Sequence, residues 1–536
     1  MRKKFLAWRG SYREAIQNNQ RRLEDLVEQG VIKPFFLWHL LIFISLPLVG
    51  LLVPCRAGSR YVRPAIFALV LSISTDIFKN RRVLLGANGY MIGLMTVWWT
   101  IWSATILIFH DAEKNFKRIE RRSISTPEGT GKKQLNGEGN SRTLNHNDES
   151  SLSKVGVKRD NEPPTQEEAL TWQGYPESLS HRLNWVMGLI CNMRGPEWNW
   201  RISTIGPLPP SVKAQLGSEG SSCKEGHSAF PDARTQLRKA FATLLKSYLF
   251  LDLVKILMMR DPYFWLVVSP SPPPPFPFSY FAASSILVRL YRLALTGVGV
   301  YAALAYATAF NPIIFLGLSL AFPNASRALT SVPLDAPWLY AYPFGPFLTT
   351  ILDEGLTGCW SRWWHQVFRF GFTSTGHWLV SFLPSKLARN PVVKRTIVVF
   401  TAFCLSGLIH GCGSYTQVVD TRPLSGPFLF FFLQAVGVTI QTTFITPMLP
   451  PNNTPLWLRR SVNAAFVFCW LFVSCPFVAD DFARGGLWLT EPIPVSPLRG
   501  LGLGAEGEGW WCWKEPWFRS WSGGDGSWWQ RGVRLL

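Results

Sequence analysis

The sequence predicts an all-α membrane protein, a polytopic bundle of about seven to nine transmembrane helices enclosing an internal tunnel. Three observations carry this reading. Hydrophobic residues make up 47% of the 536 residues and charged ones only 16%, where soluble domains carry roughly 25% charge. The 25 Trp and 37 Phe suit a chain whose apolar bodies meet water at a bilayer surface. The apolar residues also gather into runs of about 20, the length a helix needs to cross the hydrocarbon core.

The elements follow in order. Residues 1–33 form a basic segment (Arg2, Lys3, Lys4, Arg9, Arg13, Arg21, Arg22) with no early apolar run, so the first span is expected to act as its own membrane signal. Residues 34–110 hold the N-terminal membrane helices, read as Phe35–Val53, Tyr61–Phe78 and Leu84–Phe109. Residues 111–183 form a polar loop expected to be largely disordered, because Asp111 to Asn161 is Ser/Asn/Glu/Lys-rich and almost free of aromatics.

Residues 184–499 form the membrane core, with runs Ser284–Phe322, Val392–Tyr415, Gly426–Phe444 and Val462–Phe477. The first is long enough for two spans broken near Asn311-Pro312. Leu244–Val268 is interrupted by Asp252, Lys255, Arg260 and Asp261, which suits a surface-lying or bundle-facing helix as well as a plain span. Ser269 to Pro277 is a stiff proline linker. Residues 500–536 form a Trp/Gly-rich tail expected along the interface. Basic residues flank both ends of the first hairpin, so charge does not orient the bundle.

The formal net charge of +20 raises nucleic acid as a partner, but the basic residues cluster outside the apolar runs and no recognition module is present. The lipid bilayer is the expected partner instead. The nine cysteines are odd in number and show no C-x-x-C pair, so neither a disulfide scaffold nor a zinc site is indicated, and no metal is expected.

Polar residues inside apolar helices are costly and are candidates for function. Ser406, His410, Ser414 and Gln417 recur at helical spacing and would form one polar stripe suited to a wet tunnel. Equally, Gly407 and Gly411 would make a small-residue packing face, with His410 hydrogen-bonded to a neighbouring helix. Between Asp353 and Arg369, Trp360, Trp363, Trp364, Val367 and Phe368 make an apolar face and Glu354, Ser361, Arg362, His365 and Arg369 a polar one. An interfacial helix with a solvated histidine is the plainer account of that pattern. Arg194-Gly-Pro-Glu-Trp-Asn-Trp200 reads as a buried turn, and Gln434 and Gln441 share a helix face that could bind ligand or join helices.

Trp-Trp-His-Gln at 363–366, followed by Ser-Gly-Leu-Ile-His410 on an apolar helix, resembles the signature of the membrane-bound O-acyltransferase superfamily, in particular its wax-synthase-like branch from fungal secondary metabolism. The resemblance runs from about Asn184 to Arg499 and includes the Arg194–Trp200 element; Pro196-Glu197 and the proline run at 270–277 depart from it. It implies that His410 is the catalytic base and His365 its partner. The substrate-binding candidates around them are Trp364, Arg362, Ser406, Ser414, Gln434 and Gln441.

The implied activity moves an acetyl or other short acyl group from acyl-CoA, a co-substrate rather than a bound cofactor, to a hydroxyl of an apolar acceptor such as a terpenoid alcohol. The expected location is a multi-pass placement in the endoplasmic reticulum membrane. Arg362, Arg369, Lys394 or Arg395 could attract the CoA phosphates. A long-chain wax or lipid ester synthase and a membrane transporter are the competing readings.

Overall fold

The computed structural model describes residues 11–123, 168–217, 230–505, 507–522 and 531–536. Six helices among them are long and apolar enough to cross a membrane: Ala57–Asn80, Tyr90–Phe109, Ser285–Ala321, Pro391–Tyr415, Leu424–Met448 and Leu456–Arg484. Leu37–Leu52 is apolar but shorter. The chain is a multi-pass, all-α membrane protein. Leu41, Leu69, Phe315, Val392, Phe444 and Phe468 are exposed on these helices, as expected of side chains whose solvent is lipid.

In chain order, an amphipathic helix α1 (Tyr12–Glu28), capped by the Ser11 hydroxyl, precedes α2 (Leu37–Leu52), α3 (Val62–Asn80) and α4 (Tyr90–Ala104), which runs on through a π-helical turn to Phe109. After α5 (Leu179–Cys191) come α6 (Ala233–Arg260) and α7 (Ser285–Asn311). The bundle closes with α8 (Phe347–Gly358), α9 (Arg369–Ser381), α10 (Pro391–Tyr415), α11 (Leu429–Ile440) and α12 (Leu456–Arg484). Helix α4 is the most enclosed of the spans, with Trp98 and Trp102 wholly buried beside Trp185 of α5 and Trp198.

Two expectations need correction. The run from Ser285 to Ala321 is one continuous rod rather than two spans. Pro312 keeps helical angles, φ −64° and ψ −33°, and opens a π-helical turn, Pro312–Leu316, in which the widened helix accommodates a residue that cannot donate.

The flanks of the polar segment are ordered. Strand β1 (Arg118–Ser123) pairs antiparallel with β2 (Glu168–Gln173). Arg118 is buried there because Gln173 Oε1, at 2.7 Å, and Asn184 Oδ1, at 3.0 Å, accept from its guanidinium. Composition weighs apolar surface and misses order gained by hydrogen bonding. The remainder of the expected disorder, residues 124–167, lies outside the described residues.

The C-terminal tail also has structure. Its strands β3 (Phe518–Ser522) and β4 (Arg531–Leu535) pair, and Leu535 N donates to Phe35 O at 2.9 Å, tying the tail to the start of α2. Helix α6 proves bundle-facing. Asp252 accepts from Leu498 N at 2.9 Å, and Lys255 Nζ donates to the carbonyls of Trp488, Leu489 and Thr490 at 2.5, 3.2 and 3.1 Å. Asp252 and Lys255 are tolerated because each is buried with partners, while Arg260 stays exposed.

Candidate active site

Helix α10 carries His410. The Asn390 side chain caps the helix by accepting from Val392 N and Val393 N, Pro391 pre-sets its first turn, and an apolar body carries it to Tyr415. Near its end the glycines let neighbours approach. A Cβ on Gly93 of α4 would stand 2.1 Å from Cys412 O, and one on Gly413 would stand 3.0 Å from the Tyr90 ring. The two helices therefore cross almost backbone to backbone, as small residues allow between membrane helices.

That crossing brings Tyr90 OH to 2.6 Å from His410 Nδ1. On its other side the imidazole stacks on Phe431 of α11, ring centroids 4.6 Å apart and 16° from parallel. His410 is surrounded by protein yet only half-buried. Gly407 and Gly411 pack against Phe428 and Pro423, and His410 meets Tyr90 of the neighbouring helix α4, while Ser414 and Gln417 on the same helical run are buried.

His365 reaches the interior by a different route. Helix α8 ends in a π-helical turn, Cys359–Trp363, and the chain leaves the helix at Trp364. Buried Gln366 holds that exit by donating to the Trp360 and Trp364 carbonyls at 2.8 and 2.6 Å, and accepts from Arg369 Nη1 at 2.9 Å. The His365 ring stands edge-on to Phe368 and Phe344, 5.8 and 6.4 Å away, with Trp364 at 5.2 Å. Its Nδ1 is enclosed and has no hydrogen-bond partner. Burial pushes the imidazole down to about 4, and the Arg194 guanidinium adds to the push. Arg194 itself is held by the Ala341 and Tyr342 carbonyls at 2.9 and 3.2 Å. His365 and His410 lie within electrostatic reach of each other, with no hydrogen bond between them.

A family profile, the Membrane bound O-acyl transferase family, matches residues 341–433, the stretch that holds both histidines. The chain is 32% identical over 143 residues to "Acetyltransferase eriL" of Hericium erinaceus, covering 26% of this chain and 36% of that one. It is 24% identical over 302 residues to "Acetyltransferase ple2" of Rhodocybe pseudopiperita, 56% of this chain and 66% of the relative. It is 27% identical over 274 residues to "O-Mevalon transferase yanI" of Aspergillus niger, 49% and 53% of the two chains. Over residues 341–433 the chain is similar to the membrane bound O-acyl transferases. It spans from 36% to 66% of the length of these three relatives. No solved structure matches it.

The other candidate residues of this O-acyl transferase-like chain scatter. Trp364 adjoins His365, and Ser406 is half-buried on α10 one turn before His410. Ser414 is wholly buried beside the Asp481 carboxylate of α12. Gln434 and Gln441 have their polar atoms taken by protein. Gln434 accepts from Trp360 Nε1 at 3.3 Å and donates to Ser474 Oγ at 3.1 Å. Gln441 accepts from Thr357 N at 3.1 Å, donates to Asn463 Oδ1 at 3.1 Å and lies against Gly355, whose φ of +63° and missing Cβ leave room for it. Arg362 is exposed in an ion pair with Glu354 at 2.7 Å, and Arg369 braces the Ser361 carbonyl at 2.8 Å.

Sequence reasoning missed Tyr90. It lies 320 residues from His410, so no spacing could pair them; a lone phenol opening an apolar helix behind Gly89 was the available signal. Among the described residues no three His, Cys, Asp or Glu side chains converge as a metal would need.

Proposed function

We propose that the protein transfers an acyl group directly from acyl-CoA to the hydroxyl of an apolar alcohol, with His410 as the base. The observation that carries the reading is the Tyr90–His410 contact: Nδ1 is occupied at 2.6 Å, which leaves Nε2 as the nitrogen free to act. With Nδ1–H donating to the phenol oxygen, Nε2 keeps its lone pair.

Nε2 takes the proton from the alcohol as the oxygen bonds to the thioester carbonyl carbon. The resulting oxyanion accepts from His365, whose enclosed Nδ1 has no protein partner and whose burial keeps the ring neutral. Collapse breaks the C–S bond, and the CoA thiolate leaves with the proton returned from Nε2. General-base help of this kind contributes on the order of a hundred- to ten-thousandfold. A site closed to bulk water also keeps the thioester from hydrolysis.

The acyl group is an acetyl or other short one, and the acceptor an apolar alcohol of the terpenoid kind that enters from lipid. Relatives named acetyltransferase and O-mevalon transferase support a small donor. The enzyme would work in the endoplasmic reticulum membrane. Microsomes carrying the full chain, incubated with acetyl-CoA or palmitoyl-CoA and a panel of alcohols, test this by CoA release and ester formation. Acetyl ester is expected. Faster palmitoyl transfer would make it a wax or lipid ester synthase, and no CoA release with any pair would favour a transporter.

A further inference from the structure

A cavity of about 640 Å³ opens at the end of the bundle where α10 stops and α4 begins. Parts of the chain outside the matched family region build it: helix α1, the turn at Leu84–Asn88, the segment Leu489–Glu491 with Arg499, and the tail from Glu508 to Arg519. Helix α1 lies across this end, with Leu23 and Val27 packed with Val418, just beyond α10.

Its walls combine aromatic rings with cations, two of which, Arg21 and Lys514, have no carboxylate partner among the described residues. Trp513 is fixed by donating Nε1–H to the Glu491 carbonyl at 3.1 Å, and its ring lies 6.4 Å from Trp511 and 4.6 Å from Trp517. Trp511 is 56% exposed, so its ring is open to a ligand. The wall carboxylates are mostly engaged: Glu491 and Glu508 on Arg499 at 2.8 and 3.4 Å, Glu508 also on Tyr12, and Glu24 on Arg519 at 2.8 Å. Glu515 has no such pair. Arg21 and Lys514 are left without a carboxylate partner among the described residues; Arg13 sits beside Tyr12 and within electrostatic reach of Glu508, with its Nη2 enclosed and without a hydrogen-bond partner.

The cavity is also at the correct end. Asn88 on its wall donates to Gly485 O at 2.6 Å, and Gln417 donates to the same carbonyl at 2.8 Å. Gln417 follows His410 by only seven residues, just past the end of α10 at Tyr415, whereas Lys394 and Arg395 lie ~24 Å away at the opposite end of the helix.

We propose that this cavity takes the nucleotide end of the acyl-CoA donor. The inference rests on the acyl-transfer reading. The purine stacks on the Trp511–Trp513 wall, the phosphates meet Arg13, Arg21 and Lys514, and the pantetheine arm, about four residue lengths or on the order of 13 Å, runs past Asn88 toward His410. Stacking on aromatics and pairing of phosphate with guanidinium are the two interactions such a ligand calls for.

The test uses the full-length protein purified in detergent, with Trp511→Ala and the double variant Arg21→Ala/Lys514→Ala, all at exposed positions. Binding of CoA and of adenosine 3′,5′-bisphosphate is measured by calorimetry alongside acetyl-CoA kinetics. Both variants should bind both ligands at least tenfold more weakly and raise KM for acetyl-CoA to match, with kcat and the alcohol KM unchanged. Wild-type turnover with unaltered donor KM in both variants would overturn the site and leave the acyl-transfer reading intact. Wild type that neither binds CoA nor consumes acetyl-CoA would sink both. Displacement of the bisphosphate by phosphatidylserine vesicles but not by CoA would make the cavity a lipid headgroup site and overturn the proposal.

Discussion

Tyr90→Phe removes one oxygen and little else. The ring keeps its edge-on packing at 5.3 Å from Phe482 and its place against Gly413. What disappears is the 2.6 Å contact with His410 Nδ1. In the resting enzyme that bond joins two neutral groups, worth about 0.5–1.5 kcal/mol net, and in the transition state His410 carries a proton, raising it to about 1.5–3 kcal/mol. Only the difference, about 1–1.5 kcal/mol, enters kcat, and at about 1.4 kcal/mol per factor of ten it predicts a roughly tenfold fall. The assay is CoA release at saturating acetyl-CoA and alcohol, with KM for each measured beside it. Both KM values should stay near wild type, as should the thermal midpoint within a few degrees. Tyr301→Phe, which removes a phenol bonded to Tyr342 at 3.3 Å, serves as the control with unchanged kcat. Wild-type turnover by Tyr90→Phe would refute the idea that the phenol orients the base.

Three further outcomes follow from other parts of the structure. His365→Asn should keep part of the activity and His365→Ala should lose about a hundred- to a thousandfold in kcat, since one oxyanion donor contributes about 2.7–4 kcal/mol; equal turnover by Ala and wild type would remove His365 from the site. Because the folded His365 sits near 4 and the unfolded one near 6.5, its contribution is intact above pH 6.5 and lost as pH falls toward 4, so thermal midpoints of His365→Asn should fall less steeply than wild type across that window. Gln441→Ala should lower stability by about 1–3 kcal/mol with both KM values unchanged, because its bonds tie α8 to α11 and α12; a raised alcohol KM in a stable variant would instead make it a substrate ligand. Replacing Thr126–Leu152 by a short linker should leave activity within about twofold, as loop length is thermodynamically cheap and β1 and β2 already join its flanks; a large loss would show that the segment serves the site.

The all-α membrane architecture was legible because its signal, apolar runs of bilayer length, is local. The same logic marked His410, an ionisable residue on an apolar helix. It failed where a local pattern had two physical outcomes. Pro312 could break a helix or be absorbed by a π turn, and only the packing of the 37-residue rod decides. Gln434 and Gln441 carry the polar groups of ligand-binding residues, but those groups are consumed by Trp360, Ser474, Thr357 and Asn463 on other helices. Arg118 and the tail strands were invisible for a related reason. Their order comes from partners distant in sequence, such as Asn184 and Phe35, while composition sums only what neighbours contribute. Arg194 became informative only once folding placed its guanidinium near His365.

The account stands most directly on His410. His410→Ala removes the base and also a polar group from an apolar helix, so membrane insertion should not suffer. Turnover of acetyl-CoA with an accepted alcohol, measured at saturation on equal amounts of folded protein, should drop by at least a hundredfold, while CoA still binds with near wild-type affinity. Near-normal turnover that remains saturable in acetyl-CoA would contradict the mechanism at its centre.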